Sequence, residues 1–407
     1  MRDPVAFPVR LAVALALAAA APAQFLNRAV WLGADDEGLT RTYDQGPEHY
    51  LDRIAYTDLP PWRRDPALEP FDDRLVLTGG SASSSRLTTE GVANLTAPLD
   101  DVFLARVHYL QSEHQGAQFE RVAFGVDAVT GRSTSLFAQV EGAQDKSRAD
   151  LSLGVDVRGD GGRHRLGLTL VDFASRKGEA FDYAQDPVGL LAAGHLGEAA
   201  GLALGYELAA QLPTVERGAL PGDSLRVQRV LGALRARRAL SPETALWADL
   251  ELELTQKAQR ATAGEHERAD TRFHRLRLEY ARELAPATHV AAGVIWVGLD
   301  TDVRRGDGAT TRDEHRDEWF LSLRAAVPLG DRTALEPYAL GGGVHFGRSG
   351  LGAGTSFEPD RASGFQGKCG VPFVYRFSER AAIRFDASLQ LDRAAFGGGG
   401  VQLVARF

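Results

Sequence analysis

The sequence is poor in cysteine, in lysine and in long apolar runs. It has one Cys in 407 residues, so neither an intramolecular disulfide framework nor a Cys-rich zinc site can form. Outside the N-terminus, no apolar run approaches the ~18 residues that a membrane-spanning helix needs. The formal net charge of −8 argues against a general nucleic-acid-binding protein. These shortages exclude a polytopic helical membrane protein and a disulfide-stapled domain.

The one long apolar stretch lies at the N-terminus and has the organisation of an export signal. Arg2 and Arg10 flank a short positive region, residues 11–21 are continuously apolar, and Ala21-Pro22-Ala23 supplies small residues. An apolar core of this length is too short to span a bilayer as a mature helix and is typical of a secretory signal peptide. We expect residues 1–23 to be removed near Ala23, so that the mature protein works outside the cytoplasm.

Residues 24–73 differ from the rest of the chain. They contain an acidic run, the turn-prone pair Pro60-Pro61 and scattered aromatic residues, without clear periodicity. We expect a short irregular N-terminal segment that lies in the periplasm or plugs a lumen.

From about residue 74 to residue 407 the chain alternates apolar and polar side chains. In one run the apolar members are Leu246, Ala248, Leu250, Leu252 and Leu254, and the residues between them include Asp249, Glu251 and Glu253. A period of two sends alternate side chains to opposite faces of a β-strand. About eighteen such segments follow one another, and short connectors alternate with longer ones such as 257–270, 300–316 and 347–364. Residues 225–240 are ambiguous between an Arg-rich helix and a strand with a bulge near Arg229.

Long alternating strands are compatible with two architectures. In a soluble β-sandwich, apolar faces pack against each other and strands average about five or six residues. In a transmembrane barrel, the apolar face contacts lipid and strands run about 9–11 residues, with short turns at one end and longer loops at the other. Segment length, connector alternation and the export signal favour an antiparallel transmembrane β-barrel of 16–18 strands.

The C-terminal segment strengthens this prediction. Val401, Leu403 and the final residue, Phe407, share one face of an alternating strand. This pattern resembles the terminal strand of bacterial outer-membrane β-barrel proteins, and the resemblance covers about residues 74–407 without indicating a specific family. It implies an outer-membrane location, contact with outer-membrane lipid, and recognition of the last strand by the barrel assembly machinery. Whether such a barrel forms a homo-oligomer is left open.

Charged side chains on the polar faces of neighbouring strands are the candidate functional residues. Acidic residues on one predicted strand stand between two strands that carry arginines. The functional interpretation is a selectivity zone in an aqueous pore, and the structural interpretation is a cross-strand ladder of ion pairs. The candidate pore-lining residues are Arg229, Arg235, Arg237, Asp249, Glu251, Glu253, Arg275, Arg277, Arg384 and Asp386.

No spacing of residues suggests catalysis or ligand chemistry. The histidines lack metal-ligand spacing, and no nucleophile, base and orienting group form a recognisable set. We therefore expect no enzyme activity, no metal and no cofactor. The leading expectation is a porin-like passive diffusion channel for small polar solutes. The alternatives are a plugged or closed barrel with a structural or interaction role, and a soluble exported β-sandwich that acts as a binding module.

Overall fold

The computed structural model of the 407-residue chain describes residue 61 and residues 76–83, 89–114, 117–143, 149–170, 182–185, 188–217, 221–260, 266–349, 363–378 and 381–406. The expected signal peptide, its cleavage position near Ala23, nearly all of residues 24–73, and Phe407 lie outside the described residues. Among those described, no helix is long and apolar enough to cross a membrane.

The described part of the chain forms twenty-one strand segments. Their bounds are β1 Val76–Ser83, β2 Thr89–Pro98, β3 Phe103–His114, β4 Ala117–Val129, β5 Thr134–Ala143, β6 Asp150–Gly159, β7 Gly162–Leu170, β8 Asp182–Gln185, β9 Val188–Ala199, β10 Leu202–Arg217, β11 Ser224–Ser241, β12 Thr244–Arg260, β13 His266–Ala285, β14 Thr288–Arg305, β15 Thr310–Pro328, β16 Thr333–Leu335, β17 Tyr338–Ser349, β18 Gly364–Gly370, β19 Phe373–Ser378, β20 Ala381–Gln390 and β21 Ala395–Arg406.

All segments belong to one antiparallel sheet, and that sheet closes on itself. The first strand pairs with the last, from Val76 opposite Arg406 to Ser83 opposite Gly399. Three strands of the sheet are each broken into two segments, namely β8 and β9, β16 and β17, and β18 and β19. The two segments of each broken strand pair with the same neighbouring strand, which is β10, β15 and β20, respectively. With these joined, the described residues form an 18-stranded barrel. The soluble β-sandwich alternative is wrong because the described strands form one closed sheet, without a free edge and without a second sheet packed against it.

The two ends of the barrel differ in their connections. At one end, where β1 begins and β21 ends, neighbouring strands are joined by short turns such as 159–162, 199–202 and 241–244. Ala200 and Gly201 both have positive φ, 51° and 74°, as the two central residues of a type I′ hairpin turn require. At the far end the longest connection between strands runs from residue 349 to residue 364. The predicted short turns at the first end are confirmed, whereas of the three predicted long connectors only 347–364 falls mainly between strands.

The outer face of the barrel is apolar and exposed. On β12, Leu246, Leu252 and Leu254 are 45–48% exposed, while Asp249 and Glu251 between them are at most 9% exposed. This reverses the arrangement of a water-soluble protein, in which large apolar side chains point away from the surface. A belt of exposed Leu, Val and Phe side chains on a closed sheet has lipid as its natural solvent, and the fold is that of outer-membrane β-barrel proteins.

Two tryptophans mark the border of this apolar belt. Trp296 on β14 and Trp319 on β15 are directly opposite each other and exposed, and Trp296 Nε1 donates to Asp317 Oδ1 at 3.3 Å. Beyond them, the outward side chains become polar, beginning with Asp300 on β14 and Asp317 on β15. Tryptophan is enriched where hydrocarbon meets water, so the polar positions lie outside the membrane-spanning part.

Strands β10–β15 continue far beyond this border. They have 16–20 residues, whereas a transmembrane strand needs about 9–11. The prediction that 257–270 and 300–316 are loops is therefore wrong for most of their length. Cross-strand polar contacts support the extension: Asp300 and His315 hydrogen-bond directly across β14 and β15. A strand with polar side chains on its outward face lacks the apolar alternation that identified the others.

The ambiguous Arg-rich segment is a continuous strand, β11, and not a helix. Its pairing with β12 is regular across Arg229. The irregularity lies on the neighbouring strand β10, between Gln211 and Thr214, where Pro213 cannot donate a backbone hydrogen bond. The bulge thus lies beside Arg229, as predicted, but on the neighbouring strand β10 and not on β11.

Candidate functional site

Acidic side chains of β12 face arginines of β13 across the inner surface. Asp249 is opposite Arg277, and Glu251 is opposite Arg275. Arg275 Nη2 lies 2.6 Å from Glu251 Oε1, and Arg277 Nε lies 3.7 Å from Asp249 Oδ2. The predicted meeting of opposite charges on adjacent strands is confirmed here.

On its other side, β12 meets the arginines of β11. Arg235 is directly across from Asp249, and Arg229 Nε lies 4.0 Å from Glu253 Oε1. Arg237 instead lies over an aromatic ring, with its Cζ 5.9 Å from the ring centroid of Trp247, within range of a cation–π interaction. The acidic residues of β12 therefore form a negative row between two positive rows.

Glu279 extends this network across three strands. Arg277 Nε donates to Glu279 Oε2 at 2.9 Å, and Arg324 Nε lies 3.1 Å from Glu279 Oε1. Arg324 belongs to β15, and the intervening strand β14 presents Gly293 opposite Glu279. A Cβ at Gly293 would lie 2.5 Å from Glu279 Cγ, so only glycine lets the carboxylate reach across. Glu279 is not among the candidate residues from the sequence, and the bridge could not be predicted because it depends on the register of two strand pairs.

Arg384 and Asp386 lie elsewhere on the inner surface, on β20. Arg384 Nε donates to Glu336 Oε2 at 3.3 Å, and its Nη2 lies 3.8 Å from Asp386 Oδ2. Glu336 occupies the break between β16 and β17 and was not identified from the sequence. The two predicted residues are therefore brought together with each other, but not with the row on β12.

A second charged cluster, also missed, lies on β3, β4 and β7. Asp127 accepts from Arg106 Nη2 at 2.7 Å and from Arg165 Nη2 at 3.1 Å. Arg165 Cζ lies 3.7 Å from the ring centroid of Phe137. The alternation of residues 118–128 already put Asp127 on the polar face, so the signal was present. A carboxylate shared by two arginines thus occurs in this cluster as it does at Glu279.

The inward charges are shielded from solvent to an unexpected degree. Arg229 is 2% exposed, Glu279 1%, and Glu318 and Lys368 0%. An 18-stranded barrel with an empty interior is wide enough for an aqueous channel, in which long side chains would be wetted at their tips. The inner wall is thus covered at these positions, and any solute path beside them is narrower than the backbone alone would allow.

One part of the inner wall is apolar. Ile295, Val297, Phe320, Tyr338, Leu340 and Val344 form a buried cluster with Phe273 packed against it; we call the first six the inner apolar patch. The patch lies on β14, β15 and β17, beside the charged residues of β13. Sequence analysis did not predict this patch, since alternation in this region places apolar residues on both faces.

The predicted assembly signal lies on the closing strand. Val401 is opposite Phe385 and Leu403 is opposite Ile383, which puts both on the outward face. Leu403 contributes to a cluster with Leu95 and Ala381. Their shared apolar face is as predicted, whereas recognition by the assembly machinery stays a prediction.

The described residues show no group of three or more His, Cys, Asp or Glu side chains that could hold a metal ion. Cys369 is a free thiol on β18. The candidate site is therefore a surface of paired charges.

Comparisons with known proteins give likenesses of fold only. No family model and no curated protein matches the chain. Among solved structures, a loop-deletion mutant of OmpT, an outer membrane protein of Vibrio cholerae, is 12% identical, covers 83% of this chain and 100% of its own, and has a TM-score of 0.40. OpdL of Pseudomonas aeruginosa is 12% identical, covers 82% and 96%, and has a TM-score of 0.38. The CymD monoaromatic hydrocarbon channel is 11% identical, covers 83% and 88%, and has a TM-score of 0.33. At these values the barrel assignment rests on the closed sheet itself.

Proposed function

We propose that this protein is an outer-membrane channel through which small polar solutes diffuse passively, along a path restricted by the covered inner wall. The observation that carries the proposal is the inner surface of an 18-stranded barrel on which charged side chains are ordered into rows of opposite sign. The row of Asp249, Glu251 and Glu253 is its clearest element. Adjacent rows of opposite charge produce a field across a pore, and such rows set ion preference in channels.

Planar-bilayer recording tests the channel. Purified protein should give discrete conductance steps. The triple variant Asp249→Asn, Glu251→Gln, Glu253→Gln should shift the reversal potential in a salt gradient toward anions, because the arginines opposite these positions remain charged. The matched control is Asp302→Asn, Asp307→Asn, Asp313→Asn, which removes three charges beyond the membrane border and should shift it less. Absence of conductance from correctly folded protein would overturn the proposal.

A closed barrel with a structural or interaction role is the second candidate. The near-zero exposure of Lys368 and Glu318 favours it, since a sealed interior needs no wetted wall. The two candidates differ in whether folded protein conducts at all. Folding is monitored independently by heat-modifiable migration in gels, which the folded barrel should show whether or not it conducts.

A further inference from the structure

The inner apolar patch is buried although it points into the barrel. Ile295 and Phe320 are 0% exposed and Leu340 is 2% exposed. They alternate with the outward residues Trp296 and Trp319, which are 46% and 57% exposed. The patch is therefore on the lumen side, where an open pore would expose it to water.

The sheet alone does not account for this burial. Neighbouring strands lie about 4.8 Å to either side of a residue, and they shield the flanks of its side chain but not its tip. Phe320 has less lateral shielding than most, because the residue opposite it on β17 is Gly342. A phenylalanine with a glycine beside it and no exposed area has another group lying over its ring. At about 25 cal/mol per Å² of apolar surface, covering such a patch is strongly favourable.

We infer that the N-terminal stretch of this chain, residues 24–75, lies in the lumen and covers the inner apolar patch. The next residue, Val76, begins β1 at the short-turn end of the barrel, so the stretch joins the barrel wall at that end of the lumen. A chain of its length spans far more than the height of the barrel, at up to about 3.3 Å per residue. Pro61, its described residue, is buried.

The composition of the stretch suits an apolar surface inside a charged wall. It supplies the aromatic residues Trp31, Tyr43, Tyr50, Tyr56 and Trp62, which follow no alternating pattern. It also carries an acidic run, Asp35-Asp36-Glu37, that can meet inward arginines. Aromatic side chains bury large areas and find partners for their polar atoms, as packing against this mixed wall requires.

Other parts of the chain suit the patch less well. The short-turn end offers only tight connections, which cannot fold inward. The long far-end connection that follows β17, residues 350–362, contains Leu351 and Phe357 as its large apolar residues, against the five tryptophans and tyrosines of the N-terminal stretch. The inference concerns what covers the patch and does not require the proposed channel to conduct.

Thiol labelling tests the contact separately from conduction. In a Cys369→Ser background, Phe320→Cys is compared with Asp307→Cys, a control in the exposed turn between β14 and β15. Each is made in the full chain, in a deletion of residues 24–75 that keeps the export signal, and in a variant with residues 350–362 replaced by a short Gly-Ser linker. A water-soluble maleimide is applied to isolated outer membranes, and folding is verified by heat-modifiable migration.

Deletion of residues 24–75 should raise the labelling rate at position 320 by about tenfold or more, because a covered site reacts only through local opening. The rate at position 307 should be unchanged, and replacing 350–362 should leave position 320 protected. Equal labelling at position 320 with and without residues 24–75, or a rise only when 350–362 is replaced, would overturn the inference.

A further variant covers failure of the deletion to assemble. In the full chain, changing Trp31, Tyr43, Tyr50, Tyr56 and Trp62 to Ser should increase labelling at position 320, and no increase would contradict the inference. Bilayer recording separates the two proposals. If deletion of residues 24–75 increases labelling but the protein does not conduct, the channel is refuted and the covered patch is supported. If the full chain conducts and position 320 is labelled rapidly in it, the covered patch is refuted and the channel is supported.

Discussion

Two regions of the inner wall of this barrel shield their inward side chains from water in different ways. On β12 and β13, the charges of Asp249, Glu251, Arg275 and Arg277 are paired with opposite charges within the sheet itself. On β14, β15 and β17, the inner apolar patch has no such internal solution and depends on a covering group. The charged region therefore needs no contact from outside the sheet, whereas the apolar patch packs against another part of the protein. The contrast teaches that inward position alone does not make a residue pore-lining.

The largest effect is expected from removing the shared carboxylate of the charged region. Glu279→Ala would leave Arg277 and Arg324 buried without this partner, and breaking a buried ion pair costs about 3–5 kcal/mol. Urea unfolding in lipid vesicles measures the loss of unfolding free energy. The control Glu243→Ala, in an exposed turn, should change it by about 0.5 kcal/mol or less. Equal effects of the two variants would show that the network is not a stabilising unit.

The second prediction compares the same truncation on the two sides of one wall. Leu340 is 2% exposed in the patch, and Leu321 is 59% exposed on the outer belt. Leu340→Ala should cost about 2–5 kcal/mol because it leaves a cavity beneath a fixed cover. Leu321→Ala should cost less, since fluid lipid fills the space. The same unfolding measurement decides, and a larger loss at Leu321 would contradict the assignment of inner and outer faces.

Alternation in the sequence was sufficient to predict the class, a range of 16–18 strands, and opposite charges on the strands that carry Asp249 and Arg277. It works because each transmembrane strand has lipid on one side, which imposes a strict period of two. It failed where that constraint ends, as in the polar extension around Asp300 and His315. It also missed the patch around Phe320, where both faces are apolar, and the bridge from Glu279 to Arg324, which needs Gly293 and two registers.

The smallest predicted effect lies in that polar extension, beyond the membrane border. The hydrogen bond with Asp300, together with that to Asp317, raises the pKa of His315 above its ordinary value of 6.5. Because the folded pKa is the higher one, the stabilisation is fully present below about pH 6.5 and is lost as pH rises through the raised value. Since His315 is exposed, the change should be a few tenths of a kcal/mol at most.

Unfolding free energies of the native protein and His315→Gln at pH 6 and pH 8 test this. The native protein should lose slightly more stability between the two values than the variant. An identical pH dependence would show that the pairing of His315 with Asp300 and Asp317 does not contribute.

The most direct test of the account is a scan of spin labels along β12. In the Cys369→Ser background, single cysteines are placed at positions 249–254, and collision with oxygen, which partitions into lipid, is compared with collision with a water-soluble nickel chelate. The labels at 250, 252 and 254 should favour oxygen, and those at 249, 251 and 253 should not, giving a period of two. Equal access of the nickel chelate to both sets would contradict a transmembrane barrel with an apolar outer face and a charged inner wall.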